Sequence, residues 1–218
     1  GTAWAARVGT MSNPTKRPNL ILFNPDQWRG DVVGYAGNPA AVTPNLDRFV
    51  AEDGVGFTRA YCQNTVCTPS RCSFMSGWYP HVRGHRTMYH MMKPDEPVLL
   101  RRLKQEGYHV WWGGKNDLVP AQVEDVWDEY CDRRYWPKHH DWEAHKALET
   151  RARGRVDSDT YYSFHFGRVE PPGGGGDRDT DWDLAREAAR VIREGLPEPW
   201  CLFIAHGTPH PPYRVEDP

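Results

Sequence analysis

The feature that most constrains this chain is a repeated unit: a short apolar run with a charged or imidazole side chain a few residues beyond it. Leu20 to Phe23 in "PNLILFNPDQW" reads as a buried strand closed by Pro25, with Asp26 just past its carboxyl end. In "DEPVLLRRLKQEGYHVWWGGK", Asp95 and Pro97 open a helix, Leu99, Leu100 and Leu103 form its buried stripe, and Gly107 stops it. A strand from Tyr108 to Trp112 then leads to Lys115. "DWDLAREAARVIREG" is a helix ended by Gly195, and "PWCLFIAH" is a buried strand followed by "GTPHPPY", which carries His210. Upstream, "VTPNLDRFVAEDG" reads as a helix capped by Thr43, with Pro44 in its first turn and Leu46, Phe49 and Val50 on one face. "VGFTRAY" reads as a short strand. This alternation predicts an α/β fold, a mostly parallel sheet flanked by helices. Ligands collect outside the carboxyl ends of such strands, so Asp26, Lys115 and His210 are predicted to converge.

Between about 119 and 181 the alternation fails. "EPPGGGGDRDTD" reads as a flexible loop and "DTYYSFHFGRVE" as a strand or hairpin, together an irregular insertion lying over the site. Residues 1–17 read as a leader or disordered tail, with Met11 a natural start, and 18–218 as one folded unit. Lys and Arg number 27 against 29 Asp and Glu, for a net charge of −2, which gives no hold on nucleic acid or on an acidic membrane surface. No apolar run reaches the roughly eighteen residues of a membrane span, and the N-terminus lacks the apolar core of a signal peptide. The five cysteines are an odd number, which argues against a disulfide framework and for a reducing cytoplasm.

One of those cysteines stands in "VCTPSRCSFMSG", ahead of a helix read from Pro69 to Ser76. Cys62, Cys67 and Cys72 are evenly spaced, but helical residues five apart point about 140° from each other, so they do not grip one zinc ion. Only Thr68, Pro69 and Ser70 separate Cys67 from Arg71, too few for the loop of the cysteine phosphatases. Cys72, Cys131 and Cys201 suit burial as small hydrophobes. For Cys67 that account leaves the proline, serine and arginine at fixed offsets unexplained.

Cys67-Thr68-Pro69-Ser70-Arg71 resembles the signature of the type I sulfatases, formylglycine-dependent members of the alkaline-phosphatase-like superfamily. "RPNLILFNPDQWRGDVVGYAGNPAAVTPNLDRF", "SFMSGWYPHVRGHR", "GGKND" and "FIAHGTPHPPY" follow in the family's order, covering Pro18 to Tyr213 apart from the insertion. The resemblance implies that Cys67 is converted to formylglycine, whose hydrate attacks sulfur and then collapses to the aldehyde, expelling sulfate. It implies that Asp26 and position 67 bind Ca²⁺ or Mg²⁺, that Arg71 holds the hydrate and that Lys115 contacts sulfate. His210 is implied near the leaving group as general acid, and His85 and His90 as residues reaching the substrate. Pro25 stands where many sulfatases have a second aspartate, and Asp117 stands where the family often has histidine; a turn-capping role is expected of Asp117. His139, His140 and His145 read as solvated surface.

The resemblance further implies that metal and substrate residues placed later in the family are missing from this sequence, so that 18–218 is the N-terminal part of a catalytic domain. The expected partners are a small-molecule sulfate ester and the remaining C-terminal part, as a second chain or lost by truncation. Two other functions stand beside sulfate ester hydrolysis. One is a phosphonate monoester or phosphodiester hydrolase of the same superfamily, against which Lys115 speaks. The other is a noncatalytic binding fragment, the outcome if Cys67 stays a thiol.

Overall fold

A computed structural model describes residues 16–121, 125–137, 142–163, 165–168, 180–211 and 213–215. The expected leader falls almost wholly outside them, as does most of the glycine-rich loop. Four parallel strands form the main sheet, in the order β1 (Leu20–Asn24), β5 (Trp200–Ala205), β2 (His109–Gly114), β3 (Arg133–Tyr135). The register sets Asn24 and Gly114 both opposite Ala205, so three carboxyl ends finish level. Strand β3 was not legible as such, because "RRY" lacks an apolar run. It reads as a strand only beside Trp111 to Gly113.

Two apolar layers sandwich the sheet, because successive strand side chains point to opposite faces. Val110, Trp112, Cys201, Phe203 and Ala205 meet Cys72, Met75 and Leu100 from α2 (Cys67–Ser76) and α3 (Leu99–Gln105). Trp111, Leu202 and Ile204 meet Leu184, Ala188 and Val191 from α5 (Thr180–Glu194). The buried cysteines are Cys72, Cys131 and Cys201, as expected of small hydrophobes. On β1 only one face is covered: Leu20 and Leu22 pack on the first layer, while Ile21 and Phe23 are 52% and 59% exposed.

Several local expectations need correction. "VGFTRAY" forms no strand: Val55, Phe57 and Tyr61 are exposed, and none of the described strands lies beside them. In α1 (Pro44–Glu52) Phe49 is exposed, and Thr43 does not cap the helix with its side chain. Its hydroxyl instead donates to Asp47 at 2.8 Å and accepts from the Gly34 N–H at 2.9 Å, tying the helix to the 3-10 turn at 34–36. Helix α3 opens at Leu99 rather than at Asp95, because the Glu96 carboxylate turns inward to accept the Lys93 N–H at 2.8 Å. Within the expected insertion lie α4 (Trp142–Arg153) and β4 (His165–Arg168), the latter paired in parallel with β6 (Tyr213–Val215) in a separate two-stranded sheet. Among the described residues, no helix is long and apolar enough to cross a membrane.

The two adjacent leucines of α3 test this layering. Leu100 is fully buried and Leu99 is 38% exposed. Leu100→Ala should cost about 2–5 kcal/mol in urea unfolding, and Leu99→Ala less than about 1 kcal/mol.

Candidate active site

Each of three adjacent strands delivers one side chain past its carboxyl end: Asp26 after β1, Lys115 after β2 and His210 after β5. Cys67 and Arg71 arrive from α2, which starts at Cys67 itself, two residues earlier than the sequence suggests. Single ligating atoms of Asp26, Cys67 and His210 lie within 4.8 Å of one another. The Lys115 ammonium donates to Asp26 Oδ2, lies 3.0 Å from Asp117 Oδ2 and 3.7 Å from Cys67 Sγ. Arg71 is buried, with Nη2 3.9 Å from Asp26 Oδ2. Its Nη1 is also buried and has no hydrogen-bond partner. Five residues drawn from four parts of the chain therefore occupy one cluster.

Local structure explains how each is held. At Gly114 φ is +83°, and an added Cβ would lie 2.1 Å from the Ala205 carbonyl oxygen. Only glycine turns the chain so closely against β5, and the Lys115 N–H then donates to that same carbonyl at 2.7 Å. Arg134 on β3 donates to the Gly114 carbonyl and stacks over Trp127, 4.7 Å from the ring centre, so a half-buried guanidinium clamps the end of β2. The turn-capping role expected of Asp117 belongs to Asn116, whose Oδ1 accepts the Leu118 and Val119 N–H groups at 3.1 Å each. Asp117 faces Lys115 instead. At α2, the N–H groups of Cys67 and Thr68 precede the helical ladder and are oriented for an anion.

The charges fit this packing. Burial pushes the Cys67 thiol up, against the pull of Lys115, so the unmodified group is held as the neutral thiol. Burial alone would lower the Lys115 pKa, but the bond to Asp26 and the charge of Asp117 outweigh it, and the ammonium is held. His210 Nδ1 lies 2.7 Å from the Pro211 carbonyl, which can only accept. The Nδ1 hydrogen is therefore committed, and His210 can release a proton from Nε2 only as imidazolium.

The two other histidines implied for the substrate have contacts of their own. His85 is buried, with Nε2 2.8 Å from the fully buried Glu96 and Nδ1 2.6 Å from the His90 carbonyl. That pairing fastens the segment after α2 and commits the ring. His90 is exposed and enters these contacts through its backbone. His139 and His140 lie outside the described residues, and the side chain of His145 is likewise undescribed.

Sequence reasoning missed Asp181. An acid in the first turn of a helix reads as a partner for the helix dipole. This one reaches across to the loop after β5. Its carboxylate accepts from the Gly207 N–H at 2.9 Å and from the Thr208 N–H and hydroxyl at 2.6 Å each, with His206 Nδ1 at 3.5 Å.

The fold is that of the alkaline-phosphatase-like hydrolases. It is similar to the crystal structure of the phosphonate monoester hydrolase of Agrobacterium radiobacter, with a TM-score of 0.66 at 23% identity, over 93% of this chain and 43% of that one. It is also similar to the 2-O GAG sulfatase BT1596, with a TM-score of 0.59 at 19% identity, over 89% of this chain and 36% of that one. The sulfatase family profile matches residues 18–218, and the chain belongs to that family. An ulvan-active sulfatase of Formosa agariphila is 39% identical over 108 residues, half of this chain and 21% of that protein. Arylsulfatase K of Gallus gallus is 24% identical over 216 residues, 93% of this chain and 36% of that protein. The chain thus spans well under half the length of these curated relatives.

The pH dependence of stability tests the Asp181 contacts. Burial works to raise the Asp181 pKa, but the bonds from His206, Thr208 and Gly207 outweigh it and bring it down to about 2 from 3.8. A depressed carboxylate stabilises the fold above its unfolded pKa and loses that contribution as pH falls through the folded value. Asp181→Asn should therefore be less stable than wild type at pH 7 by on the order of 2 kcal/mol. In urea unfolding, that gap should close as pH falls from about 4 to about 2.

Proposed function

We propose that this chain is the N-terminal part of a sulfuric ester hydrolase that cleaves a sulfate monoester through a formylglycine hydrate at position 67. The observation that carries this reading is the buried, unpartnered Nη1 of Arg71 beside Asp26, Lys115 and the first N–H groups of α2. A buried guanidinium hydrogen without an acceptor calls for an anionic ligand. Family membership over residues 18–218 makes sulfate the reading of choice.

A divalent cation, Ca²⁺ or Mg²⁺, fits the donors in part. Asp26 offers a carboxylate oxygen, and position 67 offers hydroxyl oxygens once converted; the Sγ seen at that position stands in for them. A hard cation takes about six or more oxygens, so waters, the ester's own oxygens or further chain would supply the rest. Charge supports the same conclusion. Two cationic side chains, Arg71 and Lys115, face two carboxylates, Asp26 and Asp117, so the cluster needs added positive charge to favour an anionic ester. Such a cation supplies that charge and polarises the sulfuryl group.

The chain's own residues take the remaining roles. Lys115 and Arg71 hold the sulfuryl oxygens and the nucleophile, and Nε2 of a protonated His210 gives its proton to the departing alkoxide oxygen. The hydrate at position 67 supplies one hydroxyl to attack sulfur and a second whose deprotonation releases sulfate. The rest of the catalytic domain is the proposed partner. It would cover Ile21 and Phe23 and pair with the edge of β1 that no described strand occupies, which left open is an aggregation liability.

Intact mass and turnover in the full-length enzyme test this together. Conversion should leave the chain about 18 Da lighter at Cys67. Cys67→Ala should abolish turnover of an aryl sulfate while unfolding close to wild type, because α2 keeps its apolar contacts. Cys67→Ser should stall after one attack and accumulate sulfated protein, since a lone hydroxyl has no geminal partner to expel sulfate. Full activity of Cys67→Ala would refute the reading. Faster turnover of an aryl phosphonate than of the aryl sulfate would move it to phosphorus chemistry.

A further inference from the structure

We propose that Asp181 is a positioning residue for this reaction, holding both His210 and Asp26 in place through the turn at Gly207 and Thr208. The inference rests on the sulfatase reading. The bond from the His206 N–H to the Asn24 carbonyl, 3.0 Å, is the last between β1 and the chain leaving β5 at the level of the strands. Beyond it, the loop to His210 has left the sheet, yet it carries the proposed general acid. Asp181 takes over at that point. It is 7% exposed and accepts from two successive backbone N–H groups and one hydroxyl of the loop.

Two onward bonds pass this placement to the site. The Thr208 carbonyl accepts the Asp26 N–H at 3.1 Å, and the Gly207 carbonyl accepts the His210 N–H at 3.2 Å. One carboxylate thus fixes the peptide groups from which a proposed metal ligand and a proposed acid both hang. The topology makes this contact available. Helix α5 runs antiparallel to the parallel strand it precedes, so its first turn meets the carboxyl end of β5. The depressed pKa of Asp181 keeps the carboxylate charged throughout the range in which an enzyme works.

A displaced general acid is felt most where protonation matters most, in esters whose leaving alcohol is a poor one. Asp181→Asn puts an amide N–H₂ against the donors of Thr208 or of Gly207, losing bonds on one side while keeping shape. In the full-length enzyme it should lower kcat about 10²-fold on phenyl sulfate, the scale of a misplacement of about 1 Å. On 4-nitrophenyl sulfate, whose phenolate leaves readily, the loss should be less than about 10-fold. A role confined to stability would lower both substrates alike in proportion to folded enzyme. Equal losses, or none, would overturn the inference. Should Asp181→Asn fail to fold, Thr208→Val removes one of the bonds at constant shape and should show the same bias at a few-fold scale; its absence there is equally decisive. A wild-type enzyme that cleaves no aryl sulfate would instead refute the sulfatase reading, and this inference with it.

Discussion

Between Asp26 and Asp117 sits the Lys115 ammonium, half withdrawn from water, and the geometry of the cluster is organised around that contact. At an effective dielectric near 20, a unit charge pair about 4 Å apart attracts by about 4 kcal/mol, and removing one partner leaves the other charge stranded. Lysine side chains are long and costly to immobilise, so the position of Nζ is set by where its backbone is fixed. Here that is done by Gly114 turning against Ala205 and by Arg134 holding the Gly114 carbonyl. Asp26 then serves Lys115 and Arg71 together while its own N–H is tied to Thr208.

The two faces of the sheet contribute differently to this arrangement. On one face, α2 brings its N-terminus to the cluster, so that Cys67 stands at its first position and Arg71 one turn behind. On the other, α5 brings Asp181 to the loop that carries His210. Each helix start lies near the carboxyl ends of the strands, where their exposed N–H groups favour negative charge. The sheet between them, with its level carboxyl ends, keeps the two sets in register.

The same sheet is covered unevenly. Both layers are complete over β2 and β5, but over β1 only the α2 side is filled. An apolar face and edge left exposed in this way cost solubility.

Much of this was written in local sequence. The apolar runs at Val110 and Leu202 mark strands because burial on both faces demands continuous apolar residues, and the run at Leu20 marks a third although only one of its faces is covered. Helices α3 and α5 are marked by their periodicity and by the glycines that follow them. The likeness around Cys67 places Asp26, Arg71, Lys115 and His210 in order along the chain. Other features had no local signal. "VGFTRAY" has the composition of a strand but no described neighbour to pair with, whereas "RRY" lacks the composition and pairs with β2. His85 carries the same imidazole as His210, and only packing commits it to Glu96. Asp117 and Asn116 divide turn and site between them according to which side chain the positive φ at Asp117 points toward Lys115. Asp181 is 29 residues from His210 in sequence and reads alone as a helix-start acid. Sequence by itself determined the strands β1, β2 and β5, the periodic helices beside them and the residue types that stand at their ends, because those follow from the chain's own apolar runs and periodicity. Tertiary structure alone decided which charged groups face one another, because a side chain's partner is set by elements far away along the chain.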